Sequence, residues 1–223
     1  MLKGVLIDWG GVLTVGLAEA IAEWIVAENL DEAHYRKVMR ELVVHAYENG
    51  ENGENGENAA NGENAIHALE RGEISGPDFE RDLAARLITT DGVPLVAEGL
   101  LTRMFSRFHR VEPMYEMLRE ARAAGLRTCL LSNSWANEYP REGWEDFFDA
   151  VVISGEIGMR KPEPRIFEHA LGRIGLAGEE CVFVDDIEAN IEAARRLGIV
   201  GVHHRDPELT ITELETLFQV TLR

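Results

Sequence analysis

Short, continuous apolar runs recur along the chain, and each is interpreted as a buried strand. They lie at residues 2–9, 126–134, 148–154, 180–186 and 199–204. Runs of this length, apolar at successive positions, are typical of parallel strands that are covered on both faces. Helical patterns that end near a glycine precede three of them, at residues 113–125, 163–175 and 188–198. This alternation predicts an α/β fold built on a parallel sheet.

The segment between the first strand and the second has a different pattern. Helical spacing without strand-like alternation covers residues 17–29, 32–47, 75–88 and 94–109. An all-helical insertion in an α/β domain is typical of a lid that excludes water and selects the substrate. We therefore expect a catalytic core formed by residues 1–14 and 110–223, and a helical cap formed by residues 15–109.

A low-complexity loop, residues 48–64, lies inside this predicted cap and reads "ENGENGENGENAANGEN". Repeated Asn-Gly steps favour turns or disorder, and the glutamates repel one another. A calcium site is the alternative, because carboxylates and amides supply hard oxygen ligands. The three-residue period does not match the twelve-residue calcium loop, so an expanded loop is the expected structure.

Composition narrows the possible partners. The chain of 223 residues carries 40 acidic and 22 basic residues, a net charge of -18, and this disfavours a non-specific nucleic-acid binder. Its apolar runs are too short for a membrane span, and the N-terminus lacks the apolar core of a signal peptide. Cys129 and Cys181 lie inside apolar runs and are expected to be free thiols, which fits a cytoplasmic protein. The sequence carries no signal for an oligomeric state.

Polar side chains gather where the predicted strands end. The positions are Asp8, Ser132, Asn133, Asp185, Asp186, His203 and His204, and Lys161 stands just before a helix. Taken singly, a strand-end acid is often a turn former or a helix cap. Because ligands bind at the carboxyl ends of parallel strands, the coincidence of these residues predicts a functional site there.

Four segments, in order, resemble the motifs of the haloacid dehalogenase-like (HAD) hydrolase superfamily. They are "LIDWGGV" (6–12), "CLLSN" (129–133), "GMRKPEPRIF" (158–167) and "VFVDDIEANIEAARRLG" (182–198). The resemblance spans essentially the whole chain and points to the subgroup with a helical cap after the first motif. It implies a Rossmann-like core in which the first strand lies between the strands that carry the second and fourth motifs.

The resemblance also implies a phosphohydrolase that acts on a small phosphorylated metabolite. Asp8 would attack phosphorus and form an aspartyl-phosphate. Ser132 and a backbone amide near Asn133 would hold the phosphoryl oxygens, and Lys161 would supply positive charge to the transition state.

The metal implied by the same resemblance is Mg²⁺. Its expected ligands are Asp8, the backbone carbonyl of Gly10 and Asp186, with Asp185 as a ligand or as a neighbour that supports the ligands. Oxygen donors of this kind suit Mg²⁺. Asn190, in the first turn of the following helix, would face back toward the site.

Gly10 departs from the family pattern, which places a second acid here to protonate the leaving oxygen and later activate water. General acid–base catalysis is worth about 10²–10⁴-fold, so the loss weakens catalysis without abolishing it. Acyl or anomeric phosphates, whose leaving groups have a low pKa, would suffer least. Glu19 or Glu23 could replace the acid, although a solvated face of an amphipathic helix is the favoured interpretation of both.

Three alternatives to a phosphatase stay open. A haloacid dehalogenase would lack the acidic pair that "VDDIEAN" retains. A phosphonate-cleaving enzyme resembles this chain in its first motif, and would need Lys37 as a Schiff-base lysine in the cap, where a solvated lysine is the favoured interpretation. A binding or regulatory protein without turnover would explain Gly10, but binding alone would not need all of the other residues, namely Asp8, Ser132, Lys161, Asp185 and Asp186.

The other conspicuous residues are interpreted mainly as structural. Trp135 and Asn137 could shape a substrate pocket or pack the loop after the second motif. Adjacent histidines on a strand point to opposite faces, so a zinc site at His203 and His204 is not expected. Helical core is the favoured role of the cap residues Trp24, Tyr35 and Met39.

Overall fold

The computed structural model describes residues 1–47, 65–136 and 139–223. In these ranges one parallel sheet has the order β3-β2-β1-β4-β5. Its strands are β1 Gly4–Ile7, β2 Arg127–Ser132, β3 Ala150–Ile153, β4 Cys181–Asp185 and β5 Val200–His203. The predicted α/β fold with a parallel sheet is confirmed. The first strand lies at the centre, with Ile7 beside Leu130 of β2 and Val184 of β4.

The helices inserted between β1 and β2 have a hydrophobic core of their own. They are α1 Leu17–Ala27, α2 Glu32–Tyr47, α3 Ala65–Glu70, α4 Gly76–Arg86 and α5 Leu100–Phe105, and they are called the inserted helices below. Trp24, Leu69 and Phe79 are buried in one cluster with Leu100. Apolar contact between helices, rather than contact with the sheet, therefore holds this segment together.

Two features of the inserted helices differ from the sequence patterns. The helix expected over 94–109 is regular only in α5, because Gly99 adopts a left-handed φ of 71° and the helix begins after it. The short helix α3 follows the low-complexity loop and has no long apolar periodicity to predict it. The loop itself, residues 48–64, lies outside the described residues.

Helices cover both faces of the sheet. The remaining ones are α6 Glu112–Ala123, α7 Ser154–Ile157, α8 Pro164–Ile174, α9 Glu188–Arg196 and α10 Pro207–Phe218. Side chains of α6 and α10 are buried with Val5 and Ile7 of β1 on one face. Leu6 faces the opposite side, where it is buried with side chains of α8 and α9. Burial on both faces explains why the strands are continuously apolar.

The chain leaves the core for the inserted helices, and returns to it, at a single place. Thr14 and Arg110 form an antiparallel bridge, with hydrogen bonds from Val15 N to His109 O (2.8 Å) and from Val111 N to Leu13 O (2.9 Å). The crossing begins six residues beyond Asp8, so the inserted helices start from the carboxyl edge of the sheet.

The sequence also predicts free cysteines in the interior and no membrane span. Cys129 and Cys181 are free and buried. Among the described residues, no helix combines the length and the apolar character that crossing a bilayer demands.

Candidate active site

Three carboxylates meet at the carboxyl edge of the two central strands. Asp8 follows β1, Asp185 is the last residue of β4, and Asp186 comes next. Each offers an oxygen within 4.8 Å of the others. Parallel pairing of β1 with β4, continued by the hydrogen bond from Asp8 N to Val184 O (2.9 Å), brings them together.

Lys161 places a buried ammonium among these carboxylates. Its Nζ lies 2.8 Å from Asp8 Oδ1 and 2.7 Å from Asp185 Oδ2, and the residue is 1% exposed. The Asn133 side chain holds the backbone of Lys161 at both polar atoms, accepting from its N–H (2.8 Å) and donating to its carbonyl (3.0 Å). The second and third motifs are thus joined, with the side chain of Asn133 fixing the Lys161 loop.

The two acids of the fourth motif, Asp185 and Asp186, have different surroundings. Asp185 is fully buried, and its carboxylate accepts hydrogen bonds from the Ile187 amide (2.8 Å), from Asn190 Nδ2 (3.1 Å to each oxygen) and from Lys161. Asp186 is partly exposed. Asp185 and Asp8 both pair with Lys161, but the further donors around Asp185 leave its oxygens less available to a ligand than those of Asp8 and Asp186.

The charges in this cluster oppose one another. Burial raises the pKa of Asp8 to about 7, against the lowering effect of Lys161, and the nearby carboxylates of Asp185 and Asp186 raise it further. Burial alone would lower the pKa of Lys161, but the carboxylates of Asp185 and Asp8 hold it above its usual value. Burial, with Asp185, also raises the pKa of Asp186. The cluster therefore has an excess of negative charge that it does not neutralise itself.

Ser132 lies at the end of β2, beside the acidic cluster. It is 2% exposed, and its Oγ lies 3.0 Å from the hydroxyl of Tyr139. Because Leu130 pairs with Ile7, Asp8 and Ser132 reach the same edge of the sheet. Tyr139 is not predictable as a site residue, because a tyrosine in an aromatic-rich loop carries no signal beyond packing.

The two glycines after Asp8 have opposite surroundings. A Cβ on Gly10 would have no heavy atom within 4 Å, whereas a Cβ on Gly11 would lie 2.4 Å from Asp186 Oδ2. Gly11 also has a left-handed φ of 73°. Close approach of the backbone to Asp186 thus requires glycine at position 11, while position 10 could hold a larger residue.

A buried ion pair joins the inserted helices to the core next to this site. Glu70, at the end of α3, pairs with Arg160, the neighbour of Lys161, and their side chains are 3% and 6% exposed. Trp135 Nε1 donates to Glu70 Oε1 (3.3 Å), and Ser154 Oγ donates to the Glu70 carbonyl (2.5 Å). Glu70 is not predictable from the sequence as a buried residue, because an acid on a short helix is normally solvated.

The other acids and the lysine considered for catalysis are not members of the acidic cluster. Glu19 and Lys37 are exposed, and so is Glu23, which lies 3.3 Å from the ring of His109. All three side chains face solvent, which agrees with the favoured interpretation of each as a solvated helical residue.

The remaining candidates have structural contacts. Trp24 and Tyr35 are buried in the core of the inserted helices, and Met39 packs against it. The two adjacent histidines take different partners: the His203 ring binds the Asp186 carbonyl (2.9 Å), and His204 Nδ1 binds Thr210 (2.8 Å). Asn137 lies outside the described residues.

Comparison with known proteins agrees with this geometry. The family model of the haloacid dehalogenase-like hydrolases matches residues 2–198. A sesquiterpene phosphatase of Aspergillus oryzae is 32% identical over 154 residues, which cover 66% of this chain and 76% of that protein. A phosphoserine phosphatase of Thermus thermophilus is 34% identical over 164 residues, 65% of each chain. Longer relatives are matched in part, such as 20% of the bifunctional epoxide hydrolase 2 of Rattus norvegicus.

A solved structure shows the same fold. It is a HAD family enzyme of Bacteroides thetaiotaomicron, an Asp-to-Ala mutant in complex with magnesium and inorganic phosphate. The TM-score is 0.62 at 21% identity, and the match covers 92% of this chain and 95% of that one. The sheet order, the four motifs and the family match lead to one conclusion: the chain belongs to the haloacid dehalogenase-like hydrolase family.

Proposed function

We propose that this protein is a Mg²⁺-dependent phosphohydrolase that acts on a small phosphorylated metabolite. The observation that carries the proposal is the cluster of Asp8, Asp185 and the partly exposed Asp186, in which Lys161 pairs with the first two. With all four groups ionised, three carboxylates and one ammonium leave two negative charges, which a divalent cation would neutralise. The phosphatases among the relatives, and the related enzyme solved with magnesium and phosphate, support the same assignment.

The oxygen atoms present fit Mg²⁺, which takes carboxylate and carbonyl oxygens and keeps several waters. Asp8 and Asp186 would bind it together with the backbone carbonyl of Gly10. Asp185, whose oxygens already accept from Lys161 and other donors, would support the site by holding that lysine. When bound, Mg²⁺ would reduce the repulsion between the Asp8 carboxylate and an anionic phosphoryl group.

The proposed reaction has two displacements at phosphorus. A carboxylate oxygen of Asp8 forms a bond to phosphorus while the bond to the leaving oxygen breaks, which gives an aspartyl-phosphate. The oxygen of a water molecule then forms a bond to phosphorus while the bond between phosphorus and the Asp8 oxygen breaks. This regenerates the carboxylate and releases inorganic phosphate, which carries the protons of the water. Lys161 supplies fixed positive charge, and Ser132 with a backbone amide near Asn133 holds the phosphoryl oxygens.

Position 10 sets the class of substrate that suits this site. Gly10 has no side chain to protonate the leaving oxygen, so the leaving group must depart with little assistance. Acyl and anomeric phosphates have leaving groups of low pKa and therefore fit the site better than simple alkyl phosphates do.

The inserted helices are proposed to act as a cap, with the division at residues 15–109 that the sequence pattern predicts. The buried pair of Glu70 and Arg160 supports this role, because it fastens α3 onto the loop that carries Lys161. Lids of this kind exclude water from the reacting groups and select the substrate.

The test is a phosphatase screen on a panel of phosphorylated metabolites, with and without EDTA. Asp8→Asn is expected to abolish turnover, and Asp82→Asn, on the exposed surface of α4, serves as the matched control. Turnover that persists in EDTA would remove the metal assignment, and turnover by Asp8→Asn would remove the nucleophile. Phosphate binding without turnover of any ester would favour a binding or regulatory protein, the alternative that Gly10 suggests.

A phosphonate-cleaving enzyme fits the structure less well. Its Schiff-base lysine would have to be Lys37, which is exposed on α2, whereas such lysines are activated by desolvation or by a neighbouring cation. Borohydride trapping of a carbonyl substrate on Lys37 would revive that alternative.

A further inference from the structure

Tyr139 is a buried hydroxyl of the site to which neither the motifs nor the proposed reaction assigns a role. It lies in the loop after β2, and its hydroxyl is 3.0 Å from Ser132 Oγ and 3.4 Å from the Asn133 carbonyl. Both neighbours belong to the second motif. Through these two contacts, the Tyr139 hydroxyl is positioned to control the direction in which the Ser132 hydroxyl donates its proton.

The ring of Tyr139 is held rigidly, so the position of its hydroxyl is well defined. Trp9 and Trp144 contact the ring edge-to-face, with centroid distances of 5.0 Å and 5.8 Å. Trp9 follows Asp8 directly in the chain. The same packing therefore connects the aromatic ring to the strand that carries the nucleophile.

At neutral pH the Tyr139 hydroxyl keeps its proton. Burial raises its pKa to about 12, the hydrogen bond with Ser132 opposes this, and the negative charge of Asp8 raises it further. A neutral phenol both donates and accepts, and Ser134 is a further hydrogen-bond partner of this hydroxyl. Two of the possible arrangements of the protons decide what Ser132 can offer.

The two arrangements differ in what Ser132 can offer a ligand. If Tyr139 donates to the Asn133 carbonyl, the Ser132 proton points at Tyr139 and is unavailable to a ligand. If Tyr139 donates to Ser132 Oγ, the Ser132 proton is free to point toward a phosphoryl oxygen. Because Ser132 Oγ carries one proton, binding of an anion selects the second arrangement.

We propose that Tyr139 is a positioning residue of the phosphoryl pocket, whose hydroxyl donates to Ser132 Oγ and turns the Ser132 hydroxyl toward a phosphoryl oxygen. The inference rests on the proposed function, because it requires a phosphoryl group beside Asp8. It adds a residue outside the four motifs.

The experiment compares Tyr139→Phe with the wild-type protein. This change removes one oxygen and keeps the ring that packs on Trp9. The affinity for inorganic phosphate in the presence of Mg²⁺, measured by isothermal titration calorimetry, is expected to fall about 3- to 10-fold, the effect of one neutral hydrogen bond. Tyr35→Phe, at a buried tyrosine in the core of the inserted helices, is the matched control and should leave the affinity unchanged.

A double-mutant cycle separates positioning from packing. In a Ser132→Ala background, Tyr139 has no hydroxyl to orient, so Tyr139→Phe should cause no further loss of phosphate affinity. A purely structural effect of Tyr139 would give the same factor in both backgrounds, and that result would overturn the proposal.

The remaining outcomes distinguish this proposal from the proposed function. Wild-type turnover with an unchanged phosphate affinity in Tyr139→Phe refutes the role of Tyr139 alone. Phosphate binding without turnover refutes the phosphohydrolase assignment, while the cycle on binding still decides the role of Tyr139. A wild-type protein that binds no phosphate refutes both.

Discussion

Restoring an acid at position 10 is the sharpest test of what limits this site. The ideal Cβ on Gly10 has no heavy atom within 4 Å, and Gly10 is not among the residues with positive φ, so Gly10→Asp can be introduced without strain. The family pattern places its second acid at this position, so the new carboxyl group is expected to reach the leaving oxygen. The variant therefore tests whether a missing general acid, rather than an incomplete pocket, limits the rate.

The size of the expected gain follows from the chemistry that the new group supplies. General acid–base catalysis contributes about 10²–10⁴-fold, or roughly 3–5 kcal/mol of the activation barrier. The open space at Gly10 accepts a side chain but does not orient it, so the gain should reach at most the lower limit of that range. We expect kcat/KM for an alkyl phosphate to rise by about 10- to 100-fold, and for p-nitrophenyl phosphate to change little, because nitrophenolate leaves without protonation.

Steady-state kinetics of both substrates, measured beside Gly10→Asn, check this prediction. The asparagine variant has the same size and cannot donate a proton as an acid, so it should show no gain. An equal gain in both variants, or the same gain on both substrates, would refute the reasoning.

Three further predictions test the surroundings of the site. Glu70→Gln removes the charge paired with the buried Arg160, and should lower the free energy of unfolding in urea by about 3–5 kcal/mol. A loss below about 1 kcal/mol would contradict a stabilising ion pair between the inserted helices and the core. Gly11→Ala puts a Cβ against Asp186 and should weaken Mg²⁺ binding, measured by calorimetry, at least tenfold, whereas Gly10→Ala should leave it unchanged. Because burial raises the pKa of Asp8 to about 7, protons compete with Mg²⁺, and its affinity should fall about tenfold from pH 8 to pH 6; a flat profile would refute this.

The sign of that pH effect follows from the form of Asp8 that binds the metal. The carboxylate is the ligand, and its protonated form is not. Above its pKa of about 7 the group is mostly ionised, and below it the group is mostly protonated, so binding strengthens as the pH rises. Calorimetry in buffers of different ionisation enthalpy should detect proton release on binding below pH 7.

Much of the core followed from local patterns. The strands at 2–9 and 180–186 were predictable because burial on both faces requires apolar side chains at successive positions. The order of the strands carrying Asp8, Ser132 and Asp185 followed from the family resemblance, and the sheet has that order. Where the backbone overrides periodicity, as at Gly99 before α5, the pattern was misleading about the extent of the helix.

Within the site, the types of residue were predictable from the sequence, but the different surroundings of the two neighbouring acids were not. The sequence indicated that Asp185 and Asp186 form an acidic pair, but it could not say which of them would be enclosed by Asn190 and Lys161. Burial and hydrogen bonding depend on neighbours that are distant in the chain, and these decide which carboxylate remains open to a ligand.

By itself, the sequence determined the α/β core, the place of the helical insertion, and the set of carboxylates and the lysine at the strand ends. These follow from short-range rules, namely apolar periodicity and motif order. Only the tertiary structure decided that Tyr139 meets Ser132 and that Glu70 pairs with Arg160 across 90 residues of chain. The first contact depends on how the irregular loop after β2 folds back on the strand end, and the second on how separate segments pack together. No local pattern records which buried polar group will find which partner.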